Sequence, residues 1–208
     1  MGTNLLIGIT GGIATGKTTV AEMLSRLGSP LIDFDLLARV VQQPGKPAFR
    51  DIVSFFGTNV LRPEGDLDRK KLSQIVFQDE HKRRRLEHFT HPRILKEYRK
   101  QITRLTSEKP AAIIQIVVPL LIEADLQHMF DKLILVYVAQ EEQLRRLMKR
   151  DGISKPRAQR ILAAQLSIED KRRYADYVID NSLSLEHTQK QVERLWRQLT
   201  QLKTRQSG

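Results

Sequence analysis

The sequence predicts an α/β fold, a parallel five-stranded sheet flanked by helices, and three observations carry that prediction. Short apolar runs at residues 5–10, 31–34, 111–118, 133–138 and 177–179 alternate with segments of helical periodicity. The first run leads straight into Gly11-Gly12-Ile13-Ala14-Thr15-Gly16-Lys17-Thr18, which fits the pattern G-x-x-x-x-G-K-[ST]. Helical spacing then places Val20, Leu24 and Leu27 on one face. Strand, glycine-rich turn and helix stand in the order that a phosphate-binding loop needs, so the expected architecture is the P-loop NTPase fold.

Each part of that loop has a physical reason. Glycines allow the backbone to wrap an anion and turn several N–H donors inward. A helix starting at the loop adds its positive N-terminal end. Lys17 is placed to reach the β- and γ-phosphates of a nucleoside triphosphate, and the Thr18 hydroxyl to hold a magnesium ion. Residues Gly11 to Thr19 are therefore the nucleotide-binding candidates.

The chain of 208 residues is long enough to bury a full core as one α/β domain with excursions. It has no cysteine, which excludes a disulfide framework and a thiolate nucleophile, and suits a reducing, cytoplasmic setting. No apolar run is long enough to span a membrane, and with the first strand beginning so near Met1 no signal peptide is expected. The net charge of +11 admits nucleic acid as a partner, and equally a polyanionic small substrate or solvated basic helices.

Along the chain, residues 31–34 read as the second strand of a βαβ unit. Asp35 reads as the cap of a helix through Leu36, Leu37, Val40 and Val41, and residues 47–56 as another helix. Residues 59–68 contain Pro63 and Gly65 without periodicity and read as a loop or a weak hairpin. Residues 69–106 are charged and helical, with Pro92 expected to open a new helix. After the third and fourth strands come a helix over 141–150, a helix over 155–165 capped by Ser154, the fifth strand and a terminal amphipathic helix over 185–203. Residues 204–208 read as a disordered tail.

The pattern narrows the kind of phosphate-loop protein. The guanine-reading N-K-x-D segment of GTPases is absent, and the long strands end in Pro119 and Ala139 rather than in a Walker-B carboxylate. The carboxylates Asp33 and Asp35 lie on the second strand, the layout of small-molecule kinases. The segment Ile32-Asp33-Phe34-Asp35-Leu36-Leu37-Ala38-Arg39 resembles the D-x-D-x-x-A-R segment of dephospho-CoA kinases. The run from Arg84 to Pro92 resembles that family's R-x-L-E-x-x-x-H-P helix pair, and Val118 to Glu123 its V-P-L-L-F-E turn. Arg160-Ile161, Gln165, Lys171, Ala175-Asp176 and Val178 to Asn181 follow its closing pattern.

The resemblance implies transfer of the γ-phosphoryl of ATP to the ribose 3′-hydroxyl of dephospho-CoA, giving coenzyme A and ADP, with Mg²⁺ as the accompanying ion. Dephospho-CoA is then the partner, with no nucleic acid and no membrane expected. A ribose hydroxyl is a poor nucleophile, and Asp33 is the candidate base, a helix cap or a magnesium-side carboxylate being the plainer alternatives. Arg39 is a candidate for binding a substrate phosphate or a surface arginine, and His91 an acceptor contact or a helix-start residue. Pro119, Leu120 and Leu121 are candidates for the acceptor wall or a buried turn. Arg146 and Arg150, one turn apart, are the lid arginines, most of their basic neighbours being a solvated face. Asn181 matches an adenine-side position. The expected division is a core of about 1–58, 108–140 and 174–203, an acceptor excursion of about 59–107 and a lid of about 141–173. Ala14-Thr15 replaces the family's Gly-Ser, and an alanine at 14 calls for a backbone that avoids positive φ.

Overall fold

A computed structural model describes residues 4–206. Its strands are β1 (Leu5–Gly11), β2 (Leu31–Asp33), β3 (Ile113–Val117), β4 (Lys132–Tyr137) and β5 (Tyr177–Asp180). The helices are α1 (Lys17–Arg26), α2 (Phe34–Val41), α3 (Pro47–Phe56), α4 (Arg69–Gln78), α5 (Glu80–Glu108), α6 (Gln140–Asp151), α7 (Lys155–Ala163), α8 (Ile168–Arg172) and α9 (Leu185–Gln206). The sheet is parallel throughout, in the order β2-β3-β1-β4-β5.

The chain divides into two compact units, one of Met1–Asp33 with Leu105–Gly208 and the other of Phe34–Arg104. The first holds the sheet. Leu5, Ile7 and Ile9 alternate along β1 and pack with Val20 and Leu24 of α1 and Val192, Leu195 and Leu199 of α9. Ile114, Ile116, Leu133 and Leu135 are buried too, so the strands read as continuous apolar runs, as a sheet covered on both faces requires. Each such leucine or isoleucine contributes about 1.5–3 kcal/mol of burial. Gln115 is the polar residue in β3. Its Nε2 donates to the Ala21 carbonyl at 3.0 Å and Ser25 Oγ at 2.9 Å, fixing α1 to the sheet.

The second unit is helical around Ile52, Val60, Leu67, Leu72 and Phe89. Helices α2, α3 and α4 and most of α5 fall in this unit.

Several local expectations change. Pro92 lies inside the continuous 29-residue α5 instead of opening a new helix. Proline withholds one N–H from the turn before it. At this point the Arg93 guanidinium donates to the Phe89 carbonyl and pairs with Asp51 at 2.6 Å, which braces the interrupted turn. Asp35 sits in the first turn of α2, not at its cap, where its charge still complements the helix dipole. Ser154 occupies the cap position of α7 but its side chain makes no capping bond, Pro156 having removed an N–H it would serve. Residues 59–68 keep the expected loop with a weak hairpin: a 3₁₀ turn at Thr58–Val60 leads into an antiparallel bridge between Leu61 and Leu67. Thr204 to Gln206 continue α9, so that part of the tail is helical; residues 207 and 208 lie outside the described residues. The short α8 was not foreseen: Ser167 caps it by accepting from Asp170 N at 3.0 Å.

Candidate active site

The strand register assembles one edge. Asp33 of β2 pairs with Val117 of β3, and Val117 with Ile9 of β1, so the carboxyl ends of all three strands align. Two strand spacings, about 10 Å, separate the backbone at Asp33 from that at Ile9, two residues before β1 reaches Gly11. Because β2 and β3 lie to one side of β1 and β4 and β5 to the other, this edge is also the topological switch point, where open α/β sheets bind ligands.

The loop is shaped from below. Gly16 adopts φ 86° at the start of α1, and a Cβ there would collide with the Asn181 amide. A Cβ on Gly12 would collide with Gln143 Oε1. Thr15 is buried and donates its hydroxyl to the Gly12 carbonyl at 3.0 Å, closing the turn on itself. No side chain caps α1, and its first turn carries no acidic residue. Its leading N–H groups are therefore suited to an anion. Lys17 Nζ donates to the carbonyls of Gly11 at 3.1 Å and Gly12 at 2.9 Å, lying across the loop.

Ala14 is the departure that matters. It adopts φ 60°, so the backbone does not avoid the left-handed region; the loop imposes glycine geometry on an alanine. An L-residue there carries roughly 1–2 kcal/mol of strain. Ala14→Gly is therefore expected to raise the unfolding free energy by about 0.5–1 kcal/mol, after allowing for the greater freedom of an unfolded glycine. A urea midpoint that rises at unchanged slope would bear this out, and an unmoved or lower midpoint would refute it.

Asn181 follows β5 and is buried beneath the loop. Its Nδ2 donates to the Thr15 carbonyl at 2.8 Å and its Oδ1 accepts from the Thr188 hydroxyl at 2.8 Å. Its side chain thus supports the phosphate loop from beneath. Arg146 joins this group: its Nη2 donates to the Asn181 carbonyl at 2.9 Å and its Nε to Glu142 at 2.7 Å. Arg145 grips the same carboxylate through two bonds, at 2.6 and 2.7 Å. Together Arg145 and Arg146 draw the Glu142 carboxyl from 4.5 down to about 2, so the clasp persists well into acid. Arg150 does not join it. Its guanidinium is held by Asp151 at 2.7 and 3.0 Å.

Beyond β3 the chain turns through Pro119, Leu120 and Leu121. Leu120 is 46% exposed, while Leu121 is fully buried against Gly8 and supports the turn from beneath. Thr10 Oγ1 donates to the Pro119 carbonyl at 3.3 Å, tying this turn to the strand end just before Gly11. A cavity of about 290 Å³ opens beside Gly12, walled by Gln143 of α6 and by Leu162, Leu166 and Ile168.

In the second unit, Arg39 is exposed on α2 and its carbonyl accepts from Arg69 at 3.3 Å. His91 is exposed on α5. The basic run there is largely compensated. Lys82 pairs with Asp79, Arg83 with Glu80 and Glu87, Arg84 with Glu80, and Arg85 stacks on Phe55 and Phe89.

Among the described residues no cluster of three or more His, Asp or Glu could hold a metal by itself, and no helix is long and apolar enough to cross a membrane. Thr18, in the exposed first turn of α1, offers a single hard oxygen. That suits an ion such as Mg²⁺, which takes most of its oxygens from a bound triphosphate and water.

Glu142, Gln143 and Thr188 escaped the sequence reading. Gln143 stands four residues before Leu147 on the buried face of α6, and that polar intruder in an apolar stripe is a signal for it. Thr188 gives none, since its role depends on where α9 packs.

The profile of the dephospho-CoA kinase family matches residues 5–187. A relative named dephospho-CoA kinase, from Carboxydothermus hydrogenoformans, is 46% identical over 187 residues, 90% of each chain. Another of that name, from Geobacter metallireducens, is 46% identical over 194 residues, 93% of this chain and 96% of its own. Among solved structures, a dephospho-CoA kinase from Campylobacter jejuni superposes with a TM-score of 0.71 at 29% identity, over 96% of this chain and 98% of its own.

Proposed function

The chain belongs to the dephospho-CoA kinase family, and from that premise we propose how its residues phosphorylate the ribose 3′-hydroxyl of dephospho-CoA with ATP, the last step of coenzyme A synthesis. The alignment of Asp33 with the phosphate-loop strand across β3 is the observation that carries the mechanism.

The loop from Gly11 to Thr19 binds the ATP phosphates. Backbone N–H groups at the head of α1 take the β-phosphate, and Lys17 exchanges its loop carbonyls for β- and γ-oxygens, countering the charge that develops during transfer. The Thr18 hydroxyl would hold Mg²⁺, which would supply charge neutralisation on the phosphates when bound. Asp33 accepts the proton of the 3′-hydroxyl as its oxygen attacks phosphorus, and ADP leaves in line. Pro119 and Leu120 form the acceptor wall, and Arg39 and His91 are assigned to acceptor groups on the family resemblance alone. Arg146 sets the nucleotide side of the site through Asn181 and the loop, while Arg150 serves the lid once released from Asp151. A cytoplasmic setting belongs to this reading, since the cysteine-free chain suits a reducing compartment.

The test is ADP release from ATP and Mg²⁺ in the presence of dephospho-CoA, adenosine, AMP or single-stranded DNA. Stimulation by dephospho-CoA, with coenzyme A formed in equal amount, is the expected result. Stimulation by DNA alone would overturn it.

A further inference from the structure

We propose that Lys171 is a positioning residue for the acceptor turn, holding residues 119–121 at the carboxyl edge of the sheet through Glu123 and the Pro119 carbonyl. The inference rests on the reading above that Pro119 and Leu120 face the acceptor.

Lys171, on the short helix α8, has a side chain that is 0% exposed. A buried ammonium is tolerated where oxygen atoms replace its water. Its Nζ lies 2.8 Å from Glu123 Oε1 and donates to the Pro119 carbonyl at 3.4 Å. Both acceptors are shared. Glu123 Oε1 also takes the Leu166 N–H at 3.1 Å, and the Pro119 carbonyl also takes the Thr10 hydroxyl at 3.3 Å. One ammonium therefore links four pieces of chain: the end of β1 before the phosphate loop, the turn after β3, the Leu166 segment walling the cavity beside Gly12, and α8 itself.

Stability alone is a poor reason for this arrangement. Replacing a buried ion pair by apolar groups of similar volume is commonly neutral or favourable. What apolar packing does not supply is direction. Two polar contacts converging from the turn fix where its backbone stands, and a displacement of about 1 Å at a positioning group can lower turnover by roughly 100-fold. Because Lys171 is sealed from solvent, it acts through the turn and does not touch substrate.

The experiment compares Lys171→Met, Lys171→Met/Glu123→Met and Leu120→Ala with the parent chain, measuring urea unfolding and steady-state kinetics for both substrates. The double variant strands no charge and is expected to unfold at or above the parental midpoint. Both Lys171 variants are expected to lose roughly 10- to 100-fold in kcat/KM for dephospho-CoA. Their KM for ATP should stay within about twofold, because the loop contacts are untouched. Recovery of acceptor kinetics together with stability in the double variant would overturn the proposal, leaving the pair a packing device. Failure of the double variant to fold would overturn it too, by making the pair a folding requirement. Leu120→Ala separates this inference from its premise. Unchanged acceptor kinetics there would remove the premise, while a raised acceptor KM beside parental Lys171 variants would remove only the role of Lys171.

Discussion

Asp33→Asn is expected to leave ATP binding within about twofold of the parent and to lower kcat with dephospho-CoA by roughly 10²- to 10⁴-fold. The substitution is nearly isosteric and falls at the last residue of β2, where the backbone pairs with Val117 in either case. What it removes is the ability to accept a proton. The plainer role for this residue, support of the helix that begins at Phe34, makes the opposite forecast, since asparagine caps helices about as well as aspartate. Turnover therefore separates the two roles without ambiguity about folding. Near-parental kcat in Asp33→Asn would assign Asp33 to the helix start and leave the base to be found elsewhere on the edge. A fall in kcat with an unchanged acceptor KM would point to an interaction made in the transition state alone.

The nucleotide half of this site was legible in the residues because its physics is local. A strand, a glycine turn and a helix N-terminus are contiguous, and Lys17 and Thr18 follow the loop directly. Asp33 was legible for a related reason, as the carboxylate ending the next strand. The support beneath the loop was not, because it comes from far along the chain. Asn181 is 166 residues from the Thr15 carbonyl it bonds, and Gln143 reaches Gly12 only because α6 starts beside β1 at the end of β4. Spacing along the sequence carries no record of such approaches. Pro92 failed differently. The helix-start preference of proline is an average, and tertiary bracing from Arg93 and Asp51 allows α5 to run through it. Ala14 is the reverse: the sequence raised the right question, and the loop settles it by forcing a left-handed alanine.

Lys17→Met is expected to lower kcat by roughly 10²- to 10³-fold, with a smaller loss of ATP affinity. The ammonium lies 2.9–3.1 Å from the carbonyls of Gly11 and Gly12, so it is carried by the loop at the place where the phosphates are proposed to bind. Moving from those neutral carbonyls to phosphate oxygens converts ordinary hydrogen bonds into charge-assisted ones, about twice as strong. The gain is greatest when negative charge gathers on the bridging oxygen of departing ADP, which is why kcat should suffer more than binding. Methionine keeps most of the apolar stem of lysine and loses the charge, so the half-buried side chain can still pack. Lys17→Arg should recover little. A planar, bulkier guanidinium must replace a compact ammonium between two backbone carbonyls and the phosphates. Isothermal titration with ATP and Mg²⁺, beside single-turnover kinetics with dephospho-CoA, reads the two effects separately. A Lys17→Met protein that keeps kcat within about threefold while ATP affinity collapses would make Lys17 a binding group only, and the stabilisation of the transferring phosphoryl would then have to come from the arginines of α6.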